Sequence, residues 1–318
     1  MRKILAASVA ISMGMGVAGA SKAADIVIGT PNWPSVQITG EILKVIIEDN
    51  IGLEVEIQTG TNPIVFEAMD KGAMHAHPEV WIPNQNNLHN TFVNEKGTVT
   101  RNEHGVKGFQ AMCVHKSVAD EYGITSIYDL TDPSNADLFD TNGDGRGEIW
   151  IGAPGWASTN IERIKAKSYG YDQTLDLVEM DETLAYANFQ TAIEQDQPWV
   201  GFCYGPHYLF AIHDLHVLEE PPYDEAQWNI IQPTDDPAWL EKSSAPVAWE
   251  DASLHLYYPV SLESDYPDVA SLFANMKLDS DSVAEMIKVV VIDGVEMSDF
   301  ASQWVADNQD RVIDWLSN

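Results

Sequence analysis

Four short stretches of this 318-residue chain combine an aromatic residue with glycine or proline where a strand would pass into a loop. They are TPNW at Thr30–Trp33, AHPEVWIPNQ at Ala76–Gln85, GAPGW at Gly152–Trp156 and YGPHY at Tyr204–Tyr208. A methylated ammonium or N-oxide nitrogen cannot donate strong hydrogen bonds through its methyl groups. Indole and phenol faces can still hold it, by cation–π attraction of roughly 0.5–2 kcal/mol per ring and by burial of the methyls. Trp33, Trp81, Trp156 and Tyr204 are therefore the candidate walls of an aromatic box, with Tyr208 and Trp199 in reserve. The plainer reading, tryptophan as core, suits Trp304 and Trp315 at helical spacing and Trp150 inside an apolar strand. Glu79 stands two residues before Trp81. A carboxylate at such a place is costly to bury without a partner. It is expected to face a cationic ligand or accept a hydrogen bond from one; the alternative is an ordinary ion pair, although little basic residue lies nearby in sequence.

Two further groups of residues could do chemistry. In DTNGDGRGE, the oxygens of Asp140, Asn142, Asp144 and Glu148 and the carbonyl of Arg146 fall at positions 1, 3, 5, 9 and 7 of a calcium loop, with glycine at position 6. Position 12 is Ile151 instead of the usual acid, so this reads as a shortened, structural Ca²⁺ loop placed just before GAPGW. Cys113 and Cys203 are an even pair suited to a disulfide in an oxidising compartment, with two buried thiols as the alternative. No HExxH, CxxC or GxSxG motif occurs, and the nine histidines are assigned to structure. A secreted calcium-dependent hydrolase using Glu79, or Asp181 with Glu182, as acid and base is the competing class. It lacks any nucleophile that can be named.

The elements needed to position these residues follow from periodicity. DIVIGT, LEVEIQ and MHAHPEVW read as strands separated by helices over 36–49 and 64–71, a βαβαβ opening that implies parallel strands. GVKGFQAMCVHKS reads as a long strand. A second βα series follows in EIWIGAP, residues 159–169, LDLVEM, residues 182–195 and WVGFCY. After a proline-rich stretch come a strand near 252–258 and helices near 266–276, 280–289 and 298–308. One βα domain is thus interrupted by another: residues 24–107 and 206–318 form lobe 1, and residues 108–205 form lobe 2. Ligands of open α/β sheets bind beyond the carboxyl ends of the strands, where all four aromatic stretches fall.

Residues 1–23 have the form of a secretory signal peptide, with Arg2 and Lys3, an apolar run and Ser21-Lys22-Ala23. The product is expected to be periplasmic and monomeric. Its formal charge of −32 becomes −35 without that leader, 14 basic residues against 49 acidic. So acidic a surface argues against nucleic acid or anionic membrane as partner.

The two-lobed order, together with PEVWIPN, GAPGW, WVGFCYGPHY and the closing SDFASQWVADNQDRVIDWLSN, resembles the substrate-binding proteins of glycine betaine and choline type ABC transporters. That resemblance implies an α/β type II periplasmic binding fold with two hinge-crossing strands, and a membrane permease as partner. Trp81, Trp156 and Tyr204 then match the cage positions, with Trp33 as fourth wall. The calcium loop before GAPGW is similar to the trimethylamine N-oxide binding branch. Glu79 would repel a betaine carboxylate, and none of the mature arginines (Arg101, Arg146, Arg163, Arg311) sits in a pocket motif. Trimethylamine N-oxide is accordingly the expected ligand, ahead of glycine betaine and choline.

Overall fold

The computed structural model describes residues 24–317, so the expected leader lies outside the described residues. Strand β1 (Ile26–Thr30) leads into helix α1 (Pro34–Ile46), which starts with proline in its first turn and buries Val36, Ile38, Ile42, Leu43 and Ile46. Those positions make one apolar stripe, so the helix lies flat on the strands. The chain continues to Ile51 in a wider turn and stops at Gly52, which adopts the left-handed conformation (φ 79°) that favours glycine. Strand β2 (Val55–Thr59) returns parallel to β1, in register from Ile26↔Val55 to Thr30↔Thr59. Helix α2 (Asn62–Asp70) then leads to β3 (His77–Ile82), with a parallel bridge between Ile28 and Ala76 at its start. The βαβαβ opening is as the sequence predicts.

The second half of the architecture is one curled sheet. Strands β4 (Val99–Arg101) and β5 (Val106–His115) are followed by β6 (Gly147–Gly152), α3 (Ala157–Tyr169), β7 (Leu175–Glu179), α4 (Glu182–Glu194) and β8 (Val200–Gly205). After β9 (Leu215–Val217) and β10 (Ala252–Pro259) come helices α5 (Pro267–Asn275), α6 (Ser280–Ile287), α7 (Met297–Asp307) and α8 (Gln309–Leu316). The sheet order is β3-β10-β5-β8-β6-β7, with β4 on β10 and β9 on β5. Strand β5 is shared. Its first residues pair antiparallel with β10 (Val106↔Leu254 to Gly108↔Ala252), and its remainder pairs antiparallel with β8 (Phe109↔Gly205 to Val114↔Val200). This is a two-lobed periplasmic binding protein fold in which β5 and β10 run between the lobes.

Beyond residue 205, β9 pairs with the later part of β5, and the segment that follows is tied to α3. Fully buried Lys165 gives hydrogen bonds to Glu220 (2.6 Å) and to the Val247 carbonyl (2.9 Å), while the Trp249 indole donates to Glu162 (2.6 Å). On these contacts we propose that the return crossing lies at β10 and not at residue 206. Sequence pattern could not place this stretch, because its few short elements depend on contacts with a distant helix.

Trp304 and Trp315 stack 5.8 Å apart between α7 and α8, with the Arg311 guanidinium 5.5 Å from each ring. Trp150 is buried against Tyr186, Trp156 and Phe202. The core reading holds for all three. Cys113 on β5 and Cys203 on β8 form a disulfide across neighbouring strands, closing a sequence separation of 90 residues. Cross-linking a loop of that length removes denatured-state entropy amounting to about 4 kcal/mol. Thermal unfolding of the Cys113→Ala/Cys203→Ala variant should show a midpoint lower by roughly 10 °C. An unchanged midpoint would assign the bond no role in stability.

Candidate ligand site

The four aromatic residues named from the sequence come together at or just beyond the carboxyl ends of four strands. Trp33 precedes α1 just after β1, Trp81 lies in β3, Trp156 precedes α3 after β6, and Tyr204 lies in β8. Trp33 meets Trp156 edge to face at 6.1 Å, Trp156 meets Tyr204 at 6.2 Å, and Tyr204 meets Trp81 at 5.3 Å. The circuit from Trp81 back to Trp33 is closed by Glu79. Its Oε1 accepts from the Trp33 indole (2.8 Å), the Trp81 indole (2.8 Å) and the Ser35 hydroxyl (2.9 Å). Two rings come from each lobe, so the enclosure is complete only when the lobes are together. Trp199 packs on Phe189 and Trp150, and Tyr208 on His207; neither borders the enclosed cavity.

Glu79 does not sit where the sequence suggests. It lies behind the indoles and borders a neighbouring cavity with Thr39, His104 and Leu254. Strand alternation places Glu79 and Trp81 on one side of β3, and the tryptophan reaches the cavity while the shorter acid holds its indole nitrogen. Burial raises the Glu79 carboxyl from its ordinary value to about 7, against the lowering effect of its three hydrogen bonds; the negative charge of Glu182 adds to the rise. His77, behind it, is held neutral: burial pulls it down to about 3, and it bonds Asn62 at 2.8 Å.

Glu182 plays the matching part in the other lobe. It opens α4, where a carboxylate suits the helix dipole, and it accepts from the Tyr204 hydroxyl (2.5 Å) and the His207 ring (3.0 Å). Its second oxygen is buried without a partner. Next to it, Asp181 caps α4 and accepts from the Asn32 amide across the cleft at 3.0 Å, close to where the Trp156 indole donates to the Asn32 carbonyl at 3.3 Å. Sequence reasoning considered Glu182 only as a possible acid–base group. Nothing in its neighbours ETLAYANF signals that it supports a ring twenty-two residues away.

The cavity between the rings is small, about 40 Å³, and polar only at its margins. Asn84 and Gln110 bond each other twice (2.6 and 2.9 Å) and fix one wall to the crossing strand β5. Asn62, Gln85 and Ser158 complete the polar lining, and Phe202 adds a fifth ring. No charged side chain lines it. Ala157 and Ser158 form the first turn of the 13-residue α3, so backbone amides and the positive end of a helix dipole face this space. Asn84 and Gln85 directly follow PEVWIP and could have been read as lining residues from the same strand end. Gln110 could not, because β5 carries no motif.

The DTNGDGRGE loop folds back on itself. Asp140, Asp144 and Glu148 bring oxygens within 4.8 Å of one another. Asp140 accepts from the Gly143 and Gly145 amides, Asn142 from Asp144, and Asp144 from Arg146. The Arg146 side chain points away, to the carbonyls of Asp172 and Leu175. Three carboxylates so close repel each other unless a cation shares them, and an all-oxygen set is what Ca²⁺ takes. Glu148 lies in β6, which leads directly to Trp156.

With this geometry in place, comparison with known proteins is informative. The family described as the substrate binding domain of ABC-type glycine betaine transport system matches residues 24–307. The chain belongs to this family. A glycine betaine/proline betaine-binding periplasmic protein of Salmonella typhimurium is 20% identical over 227 residues, which span 65% of this chain and 63% of that protein. Among solved structures, the glycine betaine and proline binding protein of Borrelia burgdorferi superposes with a TM-score of 0.72 at 18% identity, covering 92% of this chain and 97% of the other. A choline-binding protein in complex with choline gives 0.70 at 17% identity, covering 91% of each chain. At these identities the structures establish the fold. Family members are binding proteins, so the hydrolase reading of Glu79, Asp181 and Glu182 is set aside.

The bonding of Glu79 makes two variants informative. Glu79→Ala leaves two buried indole N–H groups without their acceptor, a cost of about 1–3 kcal/mol each, and its unfolding midpoint should fall by several degrees. Glu79→Gln keeps an oxygen and should be milder. The sign of the pH effect follows from the raised pKa: the stabilisation due to Glu79 is complete below its unfolded value of 4.5 and is lost as the pH rises through about 7. The ligand-free Gln variant should therefore gain on wild type between about pH 5 and pH 8. A midpoint difference that stays constant over that range would place the carboxylate in water.

Proposed function

We propose that the mature chain is the periplasmic solute-binding component of an ABC importer and that it captures trimethylamine N-oxide in the aromatic box. The observation that carries this reading is the closed circuit of Trp33, Trp156, Tyr204 and Trp81 around a cavity with no charged lining. The cavity is small, about 40 Å³, which suits a compact head group better than a long solute. The N-oxide oxygen needs one or two donors, which the first turn of α3 and Ser158 can supply. Glu79 contributes by holding the two indoles and not by touching the oxygen. Lobe closure about β5 and β10 buries the ligand, and the closed form docks on the membrane permease. No bond is made or broken.

Glycine betaine or choline is the second reading. It is favoured by the ligands named for the relatives and by the amides at the start of α3, which suit a carboxylate as well as an N-oxide. Tryptophan fluorescence during titration with the three compounds separates them. The expected result is saturation at micromolar concentration, tightest for the N-oxide, with Trp156→Ala weakening binding about tenfold or more. A preference for betaine would overturn the assignment while keeping the box.

We further propose that Asp140, Asn142, Asp144, Glu148 and the carbonyl of Arg146 hold a structural Ca²⁺ that fixes the start of β6 and hence the angle of Trp156. Treatment with a calcium chelator should lower the unfolding midpoint, and Ca²⁺ in excess over Mg²⁺ should restore it. No change on chelation would reduce the loop to an Asx turn.

A further inference from the structure

Among the described residues, neither of the two buried carboxylates behind the box is paired with a lysine or an arginine. Glu79 is bonded to Trp33, Trp81 and Ser35, and Glu182 to Tyr204 and His207. The His207 ring lies between the Leu209 amide, which donates to its Nδ1 at 3.3 Å, and Glu182, 3.0 Å from its Nε2. Lys165, the buried lysine among the described residues, is engaged with Glu220 and the Val247 carbonyl. Burying a carboxylate away from a lysine or an arginine is expensive, and this protein does so twice on two sides of one cavity.

From this we infer that the positive nitrogen of the bound ligand is placed opposite these two carboxylates, and that Glu79 and Glu182 together set the preference of the box for a positively charged nitrogen over an uncharged group of the same shape. The inference rests on the box being the ligand site and deepens it. Two effects act in one direction. Each carboxylate attracts the positive nitrogen through a medium of low dielectric constant. Each also accepts a proton-sharing bond from the edge of a box ring, namely the indole N–H of Trp33 and Trp81 and the hydroxyl of Tyr204. A donor so bonded passes electron density to its ring, and an electron-rich face holds a cation more strongly. Glu79 acts from the first lobe and Glu182 from the second, so the field is complete only on closure. Both are positioning residues, since they work through the rings and do not line the cavity.

Tetramethylammonium and tert-butanol have similar size and differ in charge, and tert-butanol mixes with water, so it can be titrated to high concentration. Their affinities would be measured by tryptophan fluorescence for wild type, Glu79→Gln, Glu182→Gln and Tyr204→Phe, the last as insurance in case the Gln change at Glu182 does not fold. Each Gln variant should lose about tenfold in affinity for tetramethylammonium, and Tyr204→Phe about threefold, with tert-butanol altered by less than about twofold. Equal loss for both probes would mean that the carboxylates merely shape the box, and no loss for either would remove them from recognition; both results overturn the inference. Failure of wild type to bind tetramethylammonium or trimethylamine N-oxide at all would instead overturn the box itself.

Discussion

The hydrogen bonds from Trp33 and Trp81 to Glu79 are the constraint on which this site depends. Two indoles from separate strand ends of one lobe are brought to a single carboxylate oxygen, each at 2.8 Å. Indole is a donor only, so a buried tryptophan must find an acceptor; here both find the same one. The result fixes the rotation of each ring at the cavity wall. The acid in turn is tolerated in the interior because three donors satisfy it, although burial still raises it to about 7.

The second lobe solves the same problem with different parts. Tyr204 is held by Glu182, the first residue of a helix whose preceding residue, Asp181, reaches Asn32 across the cleft. Positioning of the ring and contact between lobes are thus coupled through one helix start. The Trp156 indole completes the connection by donating to the Asn32 carbonyl. The contacts between the lobes and the rings of the box are thus held by the same few residues.

Much of the second lobe exists to hold Trp156. The strand before it begins at the acidic loop, and the helix after it is anchored by buried Lys165 to a segment more than fifty residues later in the chain. The disulfide ties β5 to β8 next to Tyr204. These are rigid supports placed around cavity-lining residues that themselves sit at strand ends and helix starts, where backbone direction changes.

The alternation of apolar strands with amphipathic helices determined the α/β class and the order of most elements, because each period reports directly which face is buried. That Trp33, Trp81, Trp156 and Tyr204 belong together was also legible, from the recurrence of an aromatic beside glycine or proline at strand ends, and they line one cavity although all four are buried. The acidic loop could be read from its oxygen spacing. What the tertiary structure alone decided were the relations between distant residues. Glu79 supports the rings from behind, Glu182 serves Tyr204, Gln110 pairs with Asn84, and the segment beyond residue 205 is tied to β5 and α3. A carboxylate has the same identity in sequence whether it faces a ligand, an indole or water. Only the burial and the partners supplied by the folded chain distinguish these, and those depend on segments that sequence spacing does not connect.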